Sequence, residues 1–194
     1  MSGFSTARQK MVDGQVRPSD VTDIRIIDAM LAVARETFVP ENKRALAYLD
    51  LDLDVSEGGS ARLVLIKPAV LAKMLQAAEI KETDHVLVVG CATGYTAAVI
   101  GQFAAQVRGA ASSDGDPANA PFDVIVLNGA TEIVPEKLYG QLREGGRLVG
   151  VFATSQPPRA TLVTCSHGDF GNRALFDAAA PVLPGMERLP AFVF

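Results

Sequence analysis

The chain of 194 residues is poor in the residues that staple or ligate: it has two cysteines, Cys91 and Cys165, and two histidines, His85 and His167. Two cysteines do not make a disulfide framework, and a reducing, cytoplasmic location is the expectation. Neither histidine has a His, Cys or carboxylate set at metal-ligand spacing, so a structural zinc site is excluded and no metal is expected. Long apolar runs are missing too. None reaches the roughly 18 residues a membrane-spanning helix needs. The opening Met1-Ser-Gly-Phe-Ser-Thr-Ala-Arg8 has no basic segment leading into an apolar one, so no secretory leader is expected. Positive charge is scarce and scattered, with a net charge of −4. Without a basic stripe to track phosphates, nucleic acid is not an expected partner.

What is present is apolar. A hydrophobic share of 48% against 21% charged suits a compact core, and the length suits one domain over residues 1–194. The sharpest local signal is Val86-Leu-Val-Val-Gly-Cys-Ala-Thr-Gly-Tyr95, followed by Thr96-Ala-Ala-Val-Ile100. A β-branched run that stops at a glycine predicts a buried strand, and the alanine-rich continuation predicts a helix. A strand, a glycine turn and a helix start bring backbone N–H groups together at one spot. In open α/β sheets, nucleotide-like ligands sit there, outside the carboxyl ends of the strands. Gly90 and Gly94 carry no Cβ and allow a ligand close to the backbone. The plain alternative is a tight turn with no ligand. Cys91, inside the turn, reads as a small filler. The spacing of the glycines is wrong for the dinucleotide fingerprint, which argues against a nicotinamide oxidoreductase.

The rest of the chain reads as alternating elements. A first helix is predicted over residues 5–16 with Ser5 as its cap, and a second carries an apolar stripe of Ile24, Ile27, Met30 and Leu31. The alternation through Leu51–Val55 and the run Arg62–Ile66 predict two short strands around a Glu57-Gly-Gly-Ser60 turn. The acids Asp50, Asp52 and Asp54 read as the exposed side of such a strand. Pro68 suits the first turn of the next helix. After the glycine turn, the helix is expected to run to about Val107. Arg108–Pro121, rich in small and breaker residues, is predicted to be a loop. Strands are predicted over Phe122–Leu127 and Arg147–Phe152, with a short helix over 134–142 between them. Ala160–Cys165 and Arg173–Phe176 read as a hairpin-like pair.

Four segments in this order resemble the protein-L-isoaspartate O-methyltransferase family of class I S-adenosylmethionine-dependent methyltransferases. They are Asp28-Ala-Met30 with Arg35-Glu-Thr-Phe-Val-Pro40; Ala47-Tyr-Leu-Asp50; Val86 to Ile100; and Ala120-Pro-Phe-Asp123 through Gln141-Leu-Arg-Glu-Gly-Gly-Arg-Leu-Val149. The resemblance covers most of residues 9–150. It implies a Rossmann-like α/β fold with N-terminal helices. The sheet would be mixed and mostly parallel, of seven strands, with an antiparallel strand near the edge and a C-terminal antiparallel hairpin. Residues 1–80 would form a helical and substrate-loop region, and 81–194 the cofactor-binding core. S-adenosylmethionine would lie on Gly90, Cys91, Ala92, Thr93 and Gly94, with Asn128 near the methyl donor. The partner would be a protein or peptide with isoaspartyl residues. This reading requires a turn that faces the carboxyl ends of the strands and is not plugged by side chains.

Three departures from the family pattern stand out. Val88 replaces an acid two places before the first glycine. Aligning on Pro68 puts Ile66 where the family's substrate loop has a serine tied to catalysis; Ser60 is the only nearby substitute. Only fourteen residues separate Val107 from Phe122. There the family has a second strand ending in a ribose-binding acid, then a helix and a third strand, and one βαβ unit alone takes about 30 residues. Asp114 and Asp116 are the only acids in the gap. The shortfall reads either as residues missing from a longer protein or as a thinner sheet. The departures also motivate an alternative, a methyltransferase-like binding or regulatory protein. The chemistry itself asks for little. A side-chain carboxylate with a pKa of about 4 is already ionised at neutral pH. The enzyme must then align donor and acceptor out of water, without a strong base. Losing the serine hydroxyl would cost about 1 kcal/mol of substrate hydrogen bonding.

Overall fold

In a computed structural model the described residues are 3–56, 58, 63–91 and 93–189. The apolar run before Gly90 forms an inner strand of a six-stranded sheet. Before it come α1 (Gly3–Met11), α2 (Ile24–Ala32), the strand pair β1 (Leu53–Asp54) and β2 (Val64–Leu65), and α3 (Pro68–Ala78). The sheet then unfolds in chain order as β3 (His85–Val89), α4 (Tyr95–Ile100), β4 (Gln106–Ala110), β5 (Phe122–Thr131), α5 (Glu136–Tyr139), β6 (Leu142–Phe152), β7 (Arg159–Ser166) and β8 (Asp169–Asp177). In the sheet order β4-β3-β5-β6-β7-β8 the first four strands are mutually parallel; β7 pairs antiparallel with β6 and β8 antiparallel with β7, so β7 alone runs against the other five. The predicted hairpin is therefore present, and so is the single antiparallel strand near the edge; among the described residues the sheet has six strands rather than seven.

Side chains alternate across each strand. Val86, Val88, Val124, Val126, Val149 and Val151 enter a core shared with α2, α3, α4 and the N-terminal turns. Leu87, Val89, Ile125, Leu127 and Leu148 enter a second core on the opposite face, closed by Leu138 of α5 and by Leu183 and Met186 near the end of the chain. Burial on both faces explains why these strands read as unbroken apolar runs. Val88, at the family's acidic position, is one of the fully buried core residues.

The middle of the chain departs from the sequence expectation. The helix after the glycine turn ends at Ile100, and part of the expected loop is strand β4. It pairs with β3 in parallel from His85↔Gln106 to Val89↔Ala110. Exposed Gln106, Arg108 and Gly109 gave it no apolar alternation, and its inner partner supplies the hydrogen bonds instead. The second strand is thus present in short form, and the shortfall falls after it. β5 also continues through Asn128–Thr131, which had read as its end.

At the N-terminus the predicted helix over 5–16 is α-helical only to Met11, then widens to a π-turn over Val12–Val16. Arg8 ties this region down. It donates to the Tyr48 hydroxyl at 3.0 Å and the Leu31 carbonyl at 3.0 Å, and pairs with Glu36 at 3.3 Å. Tyr48 in turn donates to Glu36; burial first, then that bond, pushes its hydroxyl up to about 12. Pro68 opens α3, and Asp23 caps α2, as the start signals require. The turn around Gly58 and Ser60 lies largely outside the described residues. No helix among the described residues is long and apolar enough to cross a membrane.

Candidate functional site

The glycine turn sits at the carboxyl ends of β3 and β5, as expected. Gly90 has φ +73° and Gly94 φ +89°, conformations that side-chained residues rarely adopt. The N–H groups of Gly90 and Cys91 both donate to the Ala110 carbonyl, at 2.9 and 3.3 Å. This anchors the turn to the end of β4. The Cys91 sulfur lies beside Gly109 and packs against the first core, and burial pushes its thiol up. Cys91 is thus a filler within the turn. Thr93 adds a buried hydroxyl oxygen with no hydrogen-bond partner. Ala92 lies outside the described residues.

Asn128 joins three elements at this point. Its Nδ2 donates to the Gly90 carbonyl at 3.0 Å and the Val64 carbonyl at 3.2 Å, and its Oδ1 accepts from the Thr96 hydroxyl at 2.7 Å. The side chain is buried, so these bonds matter: each unpaired partner would keep its desolvation cost. Sequence reasoning placed Asn128 beside the turn and missed Thr96 as its partner.

The loop after β2 is pinned from behind. Arg35, buried, donates Nη2 to the Ile66 carbonyl at 2.9 Å and Nε to the Ala47 carbonyl at 2.8 Å, with its guanidinium 4.7 Å from the centre of the Tyr95 ring. Burial pulls this guanidinium below its ordinary range and pushes the Tyr95 hydroxyl up. Asp52 accepts from the Lys67 N–H at 2.9 Å, so it is a loop tether rather than a free strand acid. The Ile66 side chain enters the core and is 1% exposed. Leu63 and Val64, at the start of β2, and not Ile66, line the space beside the turn. Ser60 lies outside the described residues.

A cavity of about 120 Å³ brings these parts together. Gly90 and Cys91 form one wall, Asn128 a second, Leu63 and Val64 a third, with Ala111 after β4 and the segment from Pro181 to Pro184 completing it. Thr93 and Gly94 stand back from this wall; the nearest neighbour of Gly94 is Phe38. The loop acids turn away from it: Asp114 pairs with Lys137 at 2.7 Å, and the Asp116 carboxylate accepts from the Asn119 side chain at 2.9 and 3.0 Å. Among the described residues, no three His, Cys, Asp or Glu gather as a metal cage.

The wall suits a nucleoside sulfonium in kind: bare backbone at Gly90 and an amide in Asn128. It does not suit one in size. Small-molecule pockets hold roughly 300–1,000 Å³, and what takes the space is Leu183. A Cβ built on Gly90 would lie 2.4 Å from its Cδ2, and one on Gly129 2.8 Å from it. The turn faces the right way, and a side chain plugs it, contrary to the open cradle expected from the sequence. The signal that could have foretold this is the Ala180-Pro-Val-Leu-Pro184 run: an apolar stretch after an exposed strand needs somewhere to bury itself.

The comparisons with known proteins agree with the sequence resemblance. The sequence model of the family described as Protein-L-isoaspartate(D-aspartate) O-methyltransferase (PCMT) matches residues 6–112 and 104–157. The two matches overlap over 104–112, beside the shortened segment. A protein-L-isoaspartate O-methyltransferase of Koribacter versatilis is 35% identical, over 77% of this chain and 78% of that protein. One of Rhodopseudomonas palustris is 33% identical, over 91% and 93%. A solved protein-L-isoaspartate O-methyltransferase superposes with TM-score 0.78 at 21% identity, covering 92% of this chain and 66% of that one. A Plasmodium falciparum structure of that description, in complex with S-adenosyl-L-homocysteine, gives 0.71 at 15% identity, covering 94% and 99%. The matched family model and the two bacterial relatives leave the alternative of a mere binding protein without favour. This chain belongs to the protein-L-isoaspartate O-methyltransferase family, the class I S-adenosylmethionine-dependent O-methyltransferases with a Rossmann-like fold.

Proposed function

We propose that this chain methylates the side-chain carboxylate of isoaspartyl residues in damaged proteins, with Gly90, Cys91, Ala92, Thr93, Gly94 and Asn128 as its cofactor residues. S-adenosylmethionine, when bound, supplies an electrophilic methyl group. The chain's own residues supply position and dryness. Asn128 locks the turn to the β2 loop, so the ligand side and the acceptor side move as one piece. Leu63 and Val64 give the acceptor side an apolar lining. That lining favours a carboxylate stripped of water, which is the more reactive nucleophile. The family's serine hydroxyl has no counterpart at Ile66, so acceptor recognition falls to backbone groups of this loop. Both cysteines are free, in keeping with a cytoplasmic site of action.

The observation that carries this reading is the single cavity shared by Gly90, Asn128 and the β2 loop. The test is transfer of radiolabelled methyl from S-adenosylmethionine to a synthetic isoaspartyl peptide and to its aspartyl twin. The expected result is base-labile label on the first peptide alone. Label on neither, with a folded protein, overturns the substrate assignment.

A further inference from the structure

We propose that the segment Pro181–Met186 is a built-in plug: Leu183 fills the ground above Gly90 and Gly129 and must swing out before a ligand can seat there. This rests on the reading of the turn as the cofactor site. The segment is attached, not loosely draped. Val182 forms a parallel bridge with Ala130. Ala130 donates to the Pro181 carbonyl at 2.8 Å, Leu183 donates to the Ala130 carbonyl at 2.9 Å, and Glu132 donates to the Met186 carbonyl at 2.9 Å. These bonds aim Leu183 inward, where it is 8% exposed. Its fit is mutual. Both facing positions are glycines, and a Cβ at either would collide with it.

The attachment is also light enough to release. Two backbone bonds hold the segment to β5 and a third holds it to Glu132 just beyond, against full ladders between β5 and its neighbours β3 and β6. With Met186 kept in the second core, release of Leu183 breaks few bonds and so costs less than opening the ladders. Gly185, two residues after Leu183 within the same segment, has φ +80°. A ligand that needs the open form binds more weakly by the open fraction. One buried leucine side chain sets that fraction at roughly a tenth to a hundredth.

The test uses a Cys165→Ala background, so that Cys91, which lines the same cavity as Leu183, is the one thiol left. Two readouts are taken on Leu183→Ala, Leu183→Val and the plugged control Leu183→Met: the rate of Cys91 alkylation by iodoacetamide without ligand, and the calorimetric Kd for S-adenosylmethionine. The plug predicts that Leu183→Ala speeds alkylation at least tenfold and tightens the Kd by roughly ten- to a hundredfold. Leu183→Val shifts both in the same direction by less, and Leu183→Met stays near the parent. Unchanged alkylation in Leu183→Ala and Leu183→Val overturns the plug, even if S-adenosylmethionine binds well. Faster alkylation with no binding in any variant upholds the plug and overturns the cofactor reading instead.

Discussion

The two ends of the central sheet are held by opposite means. At the amino ends of the strands the ties are ionic. Asp123 accepts from the His85 N–H at 2.8 Å and pairs with Arg143 at 2.9 Å. Arg147 pairs with Asp84 at 2.8 Å and donates to the carbonyls of Ala78 and Glu79. At the carboxyl ends the ties are neutral: the Asn128 amide, the Thr96 hydroxyl and the packing of Leu183 on two glycines. Among the described residues, the cavity beside these neutral ties is lined by no charged side chain. The ionic ties of the amino ends serve the fold, and on the proposed reading the carboxyl ends select a ligand by shape and backbone. Val88 belongs to the same pattern. Where relatives in this family have an acid, this chain packs another core valine.

Substitutions at the two ends should therefore fail differently. The largest effect is expected for Arg147→Ala. It leaves the buried Asp84 carboxylate without its cation, at about 3–5 kcal/mol of stability. Urea unfolding measures the loss, and ligand affinity of the folded fraction should not change. Next comes Ile66→Ser, the substitution that restores the family's residue type. Because Ile66 faces the core, the change removes buried apolar volume and buries a hydroxyl, costing about 3 kcal/mol. Methylation of an isoaspartyl peptide should not rise; a gain would show that the loop presents position 66 to substrate after all.

Asn128→Ala should cost about 2 kcal/mol by orphaning the Gly90 and Val64 carbonyls and the Thr96 hydroxyl. Unlike Arg147→Ala, it should also weaken S-adenosylmethionine binding, since turn and loop come apart. Loss of stability alone would erase the contrast between the two ends. The smallest effect is at the periphery. Asp23→Ala removes the α2 cap, about 1 kcal/mol at neutral pH. Hydrogen bonding from Arg25 holds the Asp23 carboxyl below its ordinary range against the opposing effect of burial. A carboxyl lowered by folding stabilises the fold above its unfolded pKa of about 4 and stops doing so as pH falls through its lower folded value. The gap between parent and variant should close over that acid range in a pH series of melts.

These elements differ in how far the sequence disclosed them. β3, β5 and β6 were legible because both faces are buried, so the apolar pattern had nowhere to hide. β4 was not, since Gln106 and Arg108 at an exposed edge look like loop residues and only the neighbouring strand makes them a strand. In the site, Gly90 and Gly94 announced the turn through their need for positive φ. The residue that fills the space above it lies 93 positions after Gly90, and no local rule ties Leu183 to it. The alignment put Ile66 at the family's serine position, and only the structure shows that its side chain enters the core. A two-residue strand does not fix which side of the following loop points inward.

The central claim is that the turn at Gly90 is where the nucleoside cofactor sits. Backbone amide spectra of the isotope-labelled protein, recorded as S-adenosyl-L-homocysteine is added, test it most directly. The account predicts that the largest shifts gather at Gly90, Cys91, Thr93 and Gly94, with Asn128, and at Leu183 on the plug. Saturable shifts centred elsewhere, with these amides still, would contradict it.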